Sequence, residues 1–236
     1  MERPIYEPTA GVATWKNRLA DPDTQWVRTK SAFETAVFWE SGALQPRGSH
    51  PRVVALLEQE QSLQGCELVA SFPGHHVHLP GGVPESQTDV WAIVRTHAGL
   101  VSLTVEGQAG ESFAETIGEW RKGASAGKDE RLAFLCDQLG LTKAPSDAIR
   151  YQLLHRTVSA PLEAERIDAA IAAMIVVSFT EDSRSKDYFG AFASCLGESI
   201  APGQIRRMPA VQHRSLFLGW LDVKPCTDAE LAAIAV

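Results

Sequence analysis

Long apolar runs are missing from this 236-residue chain; the longest, Ala169–Val177, falls short of the roughly 20 residues a helical membrane span requires. Cysteine is scarce and scattered. Cys66, Cys136, Cys195 and Cys226 form no CxxC pair, which excludes zinc-finger spacing and argues against a disulfide framework. They read as free thiols of a cytoplasmic protein. An excess of positive charge is also absent. The net charge of −7 argues against a broad nucleic-acid-coating surface but leaves a local basic groove open. There is no Walker loop, no G-x-S-x-G elbow, no internal repeat and no low-complexity tract. Met1-Glu2-Arg3-Pro4 opens a polar, proline-containing arm, not a basic-then-apolar leader. The 44% hydrophobic content is enough for a real core.

What the sequence does hold is concentrated between Gln87 and Gln108. Val90, Ala92 and Val94 alternate with Asp89 and Arg95, and Val101, Leu103 and Val105 alternate with Ser102, Thr104, Glu106 and Gln108. Period-two alternation on either side of Thr96–Gly99 predicts a β-hairpin with one apolar and one mostly polar face. If both apolar faces meet one core, paired residue numbers must sum to an odd value, as for Asp89 opposite Glu106. A four-residue loop at Thr96–Gly99 or a two-residue turn at Ala98-Gly99 satisfies this, and a three-residue loop does not.

The rest of the chain reads as one domain: an arm over residues 1–30, helices over 31–65, and a sheet-containing core over 66–236. Ser31 is a candidate N-cap for a helix that Gly42 would stop, and a second helix is expected from Arg52 to Leu63. Glu67–Phe72 reads as a strand and His75–Leu79 as a return strand or extended edge. Helices are expected over Asp129–Leu139, residues 146–168 and Ser185–Leu196, with Ser146 able to cap the second and Pro161 predicting a kink or restart within it. Ile171–Phe179 is apolar on both faces and predicts a central strand; Leu216–Leu221 is the last strand, and Thr227 caps a short terminal helix. This order implies an α/β fold of the α+β type, a mixed sheet flanked by helices with extra N-terminal helices.

Four constellations carry candidate chemistry. Asp89 with Glu106 and Gln108 puts two carboxylates on adjacent strands, able to share a hard cation such as Mg2+ or Mn2+; the alternative is a solvated hairpin face. Tyr151 and His155 share one face of a helix, and Gln152 and Arg156 a neighbouring one, unless these are simply solvated polar residues. In His75-His76-Val77-His78, with Glu85 downstream, His76 and His78 share one face and allow a zinc or iron site; the alternative is a polar edge strand or substrate contacts at the mouth of the site. Arg206-Arg207 with His213-Arg214 forms a small basic cluster, either a phosphate contact or plain surface.

Beyond these, the segments PGGVPESQTDVWAI, LVSLTVEGQAGESF, RYQLLHRTVSA and AAMIVVSF resemble a bacterial family within the PD-(D/E)XK, or restriction-endonuclease-like, superfamily. The resemblance extends to SAFETAVFWE and LFLGWL, and so to most of the chain. It implies a core of helix, three antiparallel strands, helix and strand, and a metal-dependent nuclease acting on DNA or RNA. Asp89 and Glu106 then match the metal-binding acids and Gln108 the lysine position. Gln152 would hold a carboxylate, Arg156 or His155 a phosphate, and Glu40 or Glu58 would be the first-helix acid. Gln108 departs from the pattern, because an amide hydrogen-bonds water but brings no charge. Three readings stand: a metal-dependent nuclease, a binding or regulatory module keeping the fold, and a histidine-based metalloenzyme.

Overall fold

A computed structural model describes residues 9–82, 84–123, 125–209, 211 and 214–234. The strands are β1 Glu67–Pro73, β2 His76–Val77, β3 Ser86–Gln87, β4 Val90–Thr96, β5 Gly99–Gln108, β6 Ile171–Ser178, β7 Ile205–Arg207 and β8 Ser215–Asp222. The helices are α1 Pro22–Gln25, α2 Ser31–Ala43, α3 Pro51–Leu57, α4 Ile117–Trp120, α5 Ala126–Gln138, α6 Tyr151–Arg166, α7 Ser183–Cys195 and α8 Asp228–Ile234, with 3-10 turns at Val12–Arg18 and Gln61–Leu63. Six strands form a mixed sheet in the order β1-β4-β5-β6-β8-β7; β2 and β3 pair separately. The first three neighbours are antiparallel, and β5, β6 and β8 run parallel.

Alternation along the strands divides two cores. Ala172, Met174 and Val176 of β6 pack with Leu153, Leu154 and Val158 of α6. Ile171, Ala173, Ile175 and Val177 face Ala36 and Phe38 of α2 and Val53 and Leu56 of α3. All eight β6 residues are buried, as expected of a parallel strand covered on both sides. Each fully buried Val or Ile side chain contributes roughly 1.5–3 kcal/mol, so the centre of the sheet is its most stable part.

The hairpin has the odd register. Val90 pairs with Val105, Arg95 with Leu100 and Thr96 with Gly99, so Asp89 stands one step beyond the last pair, level with Glu106. Its polar face meets solvent at Arg95 and Leu100, near the turn, but is covered over most of its length. Trp91 donates its indole N–H to Ser102 at 3.0 Å, and α6 covers Thr104, Glu106 and Gln108, all of them buried.

Several boundaries differ from the expectation. Lys30, not Ser31, precedes the first turn of α2, and the Ser31 N–H donates to Glu111 instead. Gly42 does not stop α2; it makes room for His50, whose backbone N would lie 2.6 Å from a Cβ there. The expected Arg52–Leu63 helix is α3 plus a separate 3-10 turn. Pro51 fits the first helical position, where its missing N–H costs nothing, and Glu58 ends the helix with its carboxylate held by Arg47 and the Gly65 N–H. Helix α6 begins at Tyr151, because Arg150 bridges to Thr116 and keeps extended backbone there. It then runs through Pro161 without restarting. β3, β7 and α4 were not expected, although Thr116 and Glu119 form a capping box at α4. Thr227 does cap α8, accepting from Glu230 N at 3.2 Å.

Candidate functional site

The end of β5 carries Gly107 and Gln108 into the floor of a cleft of about 480 Å3, with Glu106 just before them. Asp89 enters from the start of β4, Ser31, Ala32 and Thr35 from α2, and Gln152 and Arg156 from α6. Gly107 is what brings α2 so near: a Cβ there would lie 1.9 Å from Thr35 Oγ1. The Gly107 N–H also donates to Asp89 Oδ2 at 2.7 Å. One residue without a side chain thus seats both the helix and the acid.

Glu106 lies beneath this surface, 1% exposed. Its Oε2 accepts from Gln152 Nε2 at 3.3 Å and lies 3.2 Å from Arg156 Nε. Gln152 and Arg156 are one helical turn apart, so α6 delivers both to the same oxygen. Glu106 Oε1 and Gln108 Oε1 are buried without a hydrogen-bond partner. Burial pushes the Glu106 carboxyl up to about 8, with Asp89 adding to the shift and Arg156 opposing it. Burial also raises Asp89, opposed by Arg156 and the Gly107 N–H and assisted by Glu111. A buried carboxylate keeps its proton when the surrounding charge cannot replace lost hydration.

Of the sequence candidates, Asp89, Glu106, Gln108, Gln152 and Arg156 come together. His155 does not. It turns to a second cleft of about 310 Å3, bounded by Trp120, Arg131 and Tyr151 and sharing Gln152 and Arg156 with the first. There its Nδ1 lies 2.8 Å from Ser86 Oγ, and burial, with Arg156 and Arg131 nearby, holds its pKa well below the usual value. Neither proposed first-helix acid faces the main cleft. Glu40 accepts the Trp15 indole N–H at 2.7 Å, and Glu58, just past α3, pairs with Arg47. Both carboxylates are committed to neighbours that need them.

The histidines separate. His75 is buried beside Glu163, 3.2 Å away, while His76 and His78 are exposed and reach Glu85 at 3.3 and 3.6 Å. Among the described residues no group of three or more His, Cys, Asp or Glu is arranged to hold a metal ion, so the histidine-based reading gains no support. Of the basic cluster, Arg207 opens with His97 onto a different cleft, Arg214 donates to the Ala169 carbonyl, and His213 lies outside the described residues. The four cysteines are unpaired, and among the described residues no helix is long and apolar enough to cross a membrane.

Sequence reasoning missed Glu111, Arg18 and Lys30, all of which line the main cleft. Glu111 accepts from Ala109 N at 2.9 Å and Ser31 N at 3.1 Å, joining the end of β5 to the start of α2. Its place just past a strand bearing two candidate residues was a usable signal. Arg18 gave none, because its backbone meets Gln87 across 69 residues.

No curated protein and no solved structure matches the chain. The family whose model does match, over residues 8–225, is described as a domain of unknown function, DUF6946, and the chain belongs to that family.

Proposed function

We propose that the cleft is a metal-dependent phosphodiesterase site acting on nucleic acid, DNA or RNA, in the manner of a PD-(D/E)XK nuclease. The observation that carries this reading is the pair of buried acceptors without partners, Glu106 Oε1 and Gln108 Oε1, beside the Asp89 carboxylate. Leaving such oxygens unsatisfied is costly, and an all-oxygen set is what Mg2+ or Mn2+ prefers. The donors fit a hard cation as two carboxylates and one amide. The order α2, β1, β4, β5, α6, β6, with β1-β4-β5 antiparallel and β6 parallel to β5, is also the order the resemblance implies.

Asp89, Glu106 and Gln108 would hold the cation, which when bound neutralises phosphate charge and makes a water acidic enough to attack. Arg156 faces the same cleft with Nη1 buried and lacking a hydrogen-bond partner, so it can donate to a phosphate oxygen. Gln152 keeps Glu106 oriented. Gln108 can hydrogen-bond the attacking water but gives it no charge, which predicts a slower site than one with lysine there.

The test is Mg2+- or Mn2+-dependent cleavage of DNA and RNA by the full chain, with Asp89→Ala and Glu106→Ala alongside. Cleavage lost in both variants supports the proposal. Cleavage unaffected by both substitutions overturns the assignment, and nucleic-acid binding without cleavage replaces the site with a binding module.

A further inference from the structure

We infer that the cleft accepts an unpaired nucleic-acid strand, one or two nucleotides at a time, and excludes the double helix; this rests on the phosphodiesterase reading of Asp89 and Glu106. The segment from Val12 to Lys30 crosses the mouth of the cleft as a strap. On one side the Trp15 indole is fastened to Glu40 of α2. On the other, Gln87 of β3 donates its amide to the Arg18 carbonyl at 2.8 Å, and Gly74 lies so close that a Cβ there would meet Arg18 Cβ at 3.0 Å. The strap is therefore tied to both banks and supplies a wall of its own.

What fits beneath is set by size and by chemistry. A cleft of about 480 Å3 lies within the range that encloses a small ligand, enough for one or two nucleotides. A duplex is a stiff rod whose phosphates lie on its outside, and a strap across the mouth keeps that surface away from Asp89 and Gln108. A single strand can thread or insert its end. The strap lines the cleft with Trp26, Arg18 and Lys30, together with Arg156 of α6, while the buried Trp15 serves as its fastening. An indole for a base and cations for phosphates are the combination that binds single strands without reading their sequence. The net charge of −7 fits the same view, since tracking a duplex calls for a broad basic surface.

The experiment measures anisotropy of a short labelled DNA strand and of the same sequence as a blunt duplex, with the full chain in Mg2+, and follows cleavage of both. The strand should bind about tenfold or more tighter than the duplex. Trp26→Ala should weaken strand binding by roughly tenfold, the effect of losing one stacked base. Gln87→Ala, which cuts one fastening of the strap, should narrow the preference. Equal binding of strand and duplex, or a preference unchanged by Gln87→Ala, overturns the inference. So does strand binding that Trp26→Ala leaves unaltered. A duplex cut as fast as the strand and dependent on Asp89 overturns it while leaving the phosphodiesterase reading intact. Tight strand binding without cleavage does the reverse. Binding of neither overturns both.

Discussion

The proton on Glu106 provides a direct test of how the site is built. Its carboxyl is raised from 4.5 to about 8 by burial, while in the unfolded chain it titrates normally. A raised acid adds stability that is complete below the unfolded value and is lost as the pH climbs through the folded one. Between pH 6 and pH 8 the unfolded chain has released this proton and the folded chain still holds it. Stability should fall there by roughly 1.4 kcal/mol per pH unit, about 3 kcal/mol over the window at most. For a chain of this size that is roughly a 5–10 °C drop in melting temperature. Thermal melts of the wild type and Glu106→Gln across this range would show it: the wild-type curve descends, and that of the amide, which has no proton to lose, runs nearly level. Saturating Mg2+ should flatten the wild-type curve, because a cation that displaces the proton removes the penalty of ionising it. Parallel curves for wild type and variant would refute the reasoning. A Mg2+ response that survives in Glu106→Gln would refute the metal assignment alone.

Other substitutions separate structural roles from chemical ones. Gly107→Ala forces a methyl group against Thr35 Oγ1 and should lower stability by roughly 1–3 kcal/mol, as overpacking does, measured by urea denaturation. Arg131 binds the carbonyls of Leu79, Pro80, Gly82 and Pro84; Arg131→Met should cost roughly 3 kcal/mol and make that loop a site of limited proteolysis. His155, held well below 6.5, contributes stability present above that value and lost as the pH falls below it, so His155→Gln should flatten the acid limb of the melting profile. Glu58→Gln should leave cleavage unchanged, since its carboxylate serves Arg47 and Gly65 away from the cleft.

The hairpin was legible because strand alternation is a local code. Val90 and Val105 on one face and Glu106 on the other fix the register before any tertiary contact is known. The same holds for β6, whose apolar character on both faces announces its place between two layers. Gln152 and Arg156 could be paired from helical spacing, but their convergence on Glu106 is a packing result. The first-helix acids failed for a related reason. Spacing puts Glu40 on a helix but does not reveal that Trp15 would claim it. The arm was legible only as an arm, because Arg18 and Lys30 join the cleft through folds of chain that no local pattern records. The edge strand β7 is short, and its pairing to β8 is a tertiary choice.

The strap begins at the N-terminal side of the cleft, yet its far end is held by residues near position 228. Arg28 pairs with Asp228 at 2.5 Å and donates to the Cys226 carbonyl, while the Cys226 N–H donates to Glu34 of α2. These contacts join residues about 200 positions apart, and such contacts form only after the intervening chain is in place. On a ribosome, α2 and strands β1 to β6 precede the tail by some fifty residues or more, but the strap lacks this hold until synthesis passes Asp228. The hold on Arg28 is thus among the last contacts to form, and a chain that ended before Asp228 would keep this segment fastened only through Trp15 and the Arg18 carbonyl.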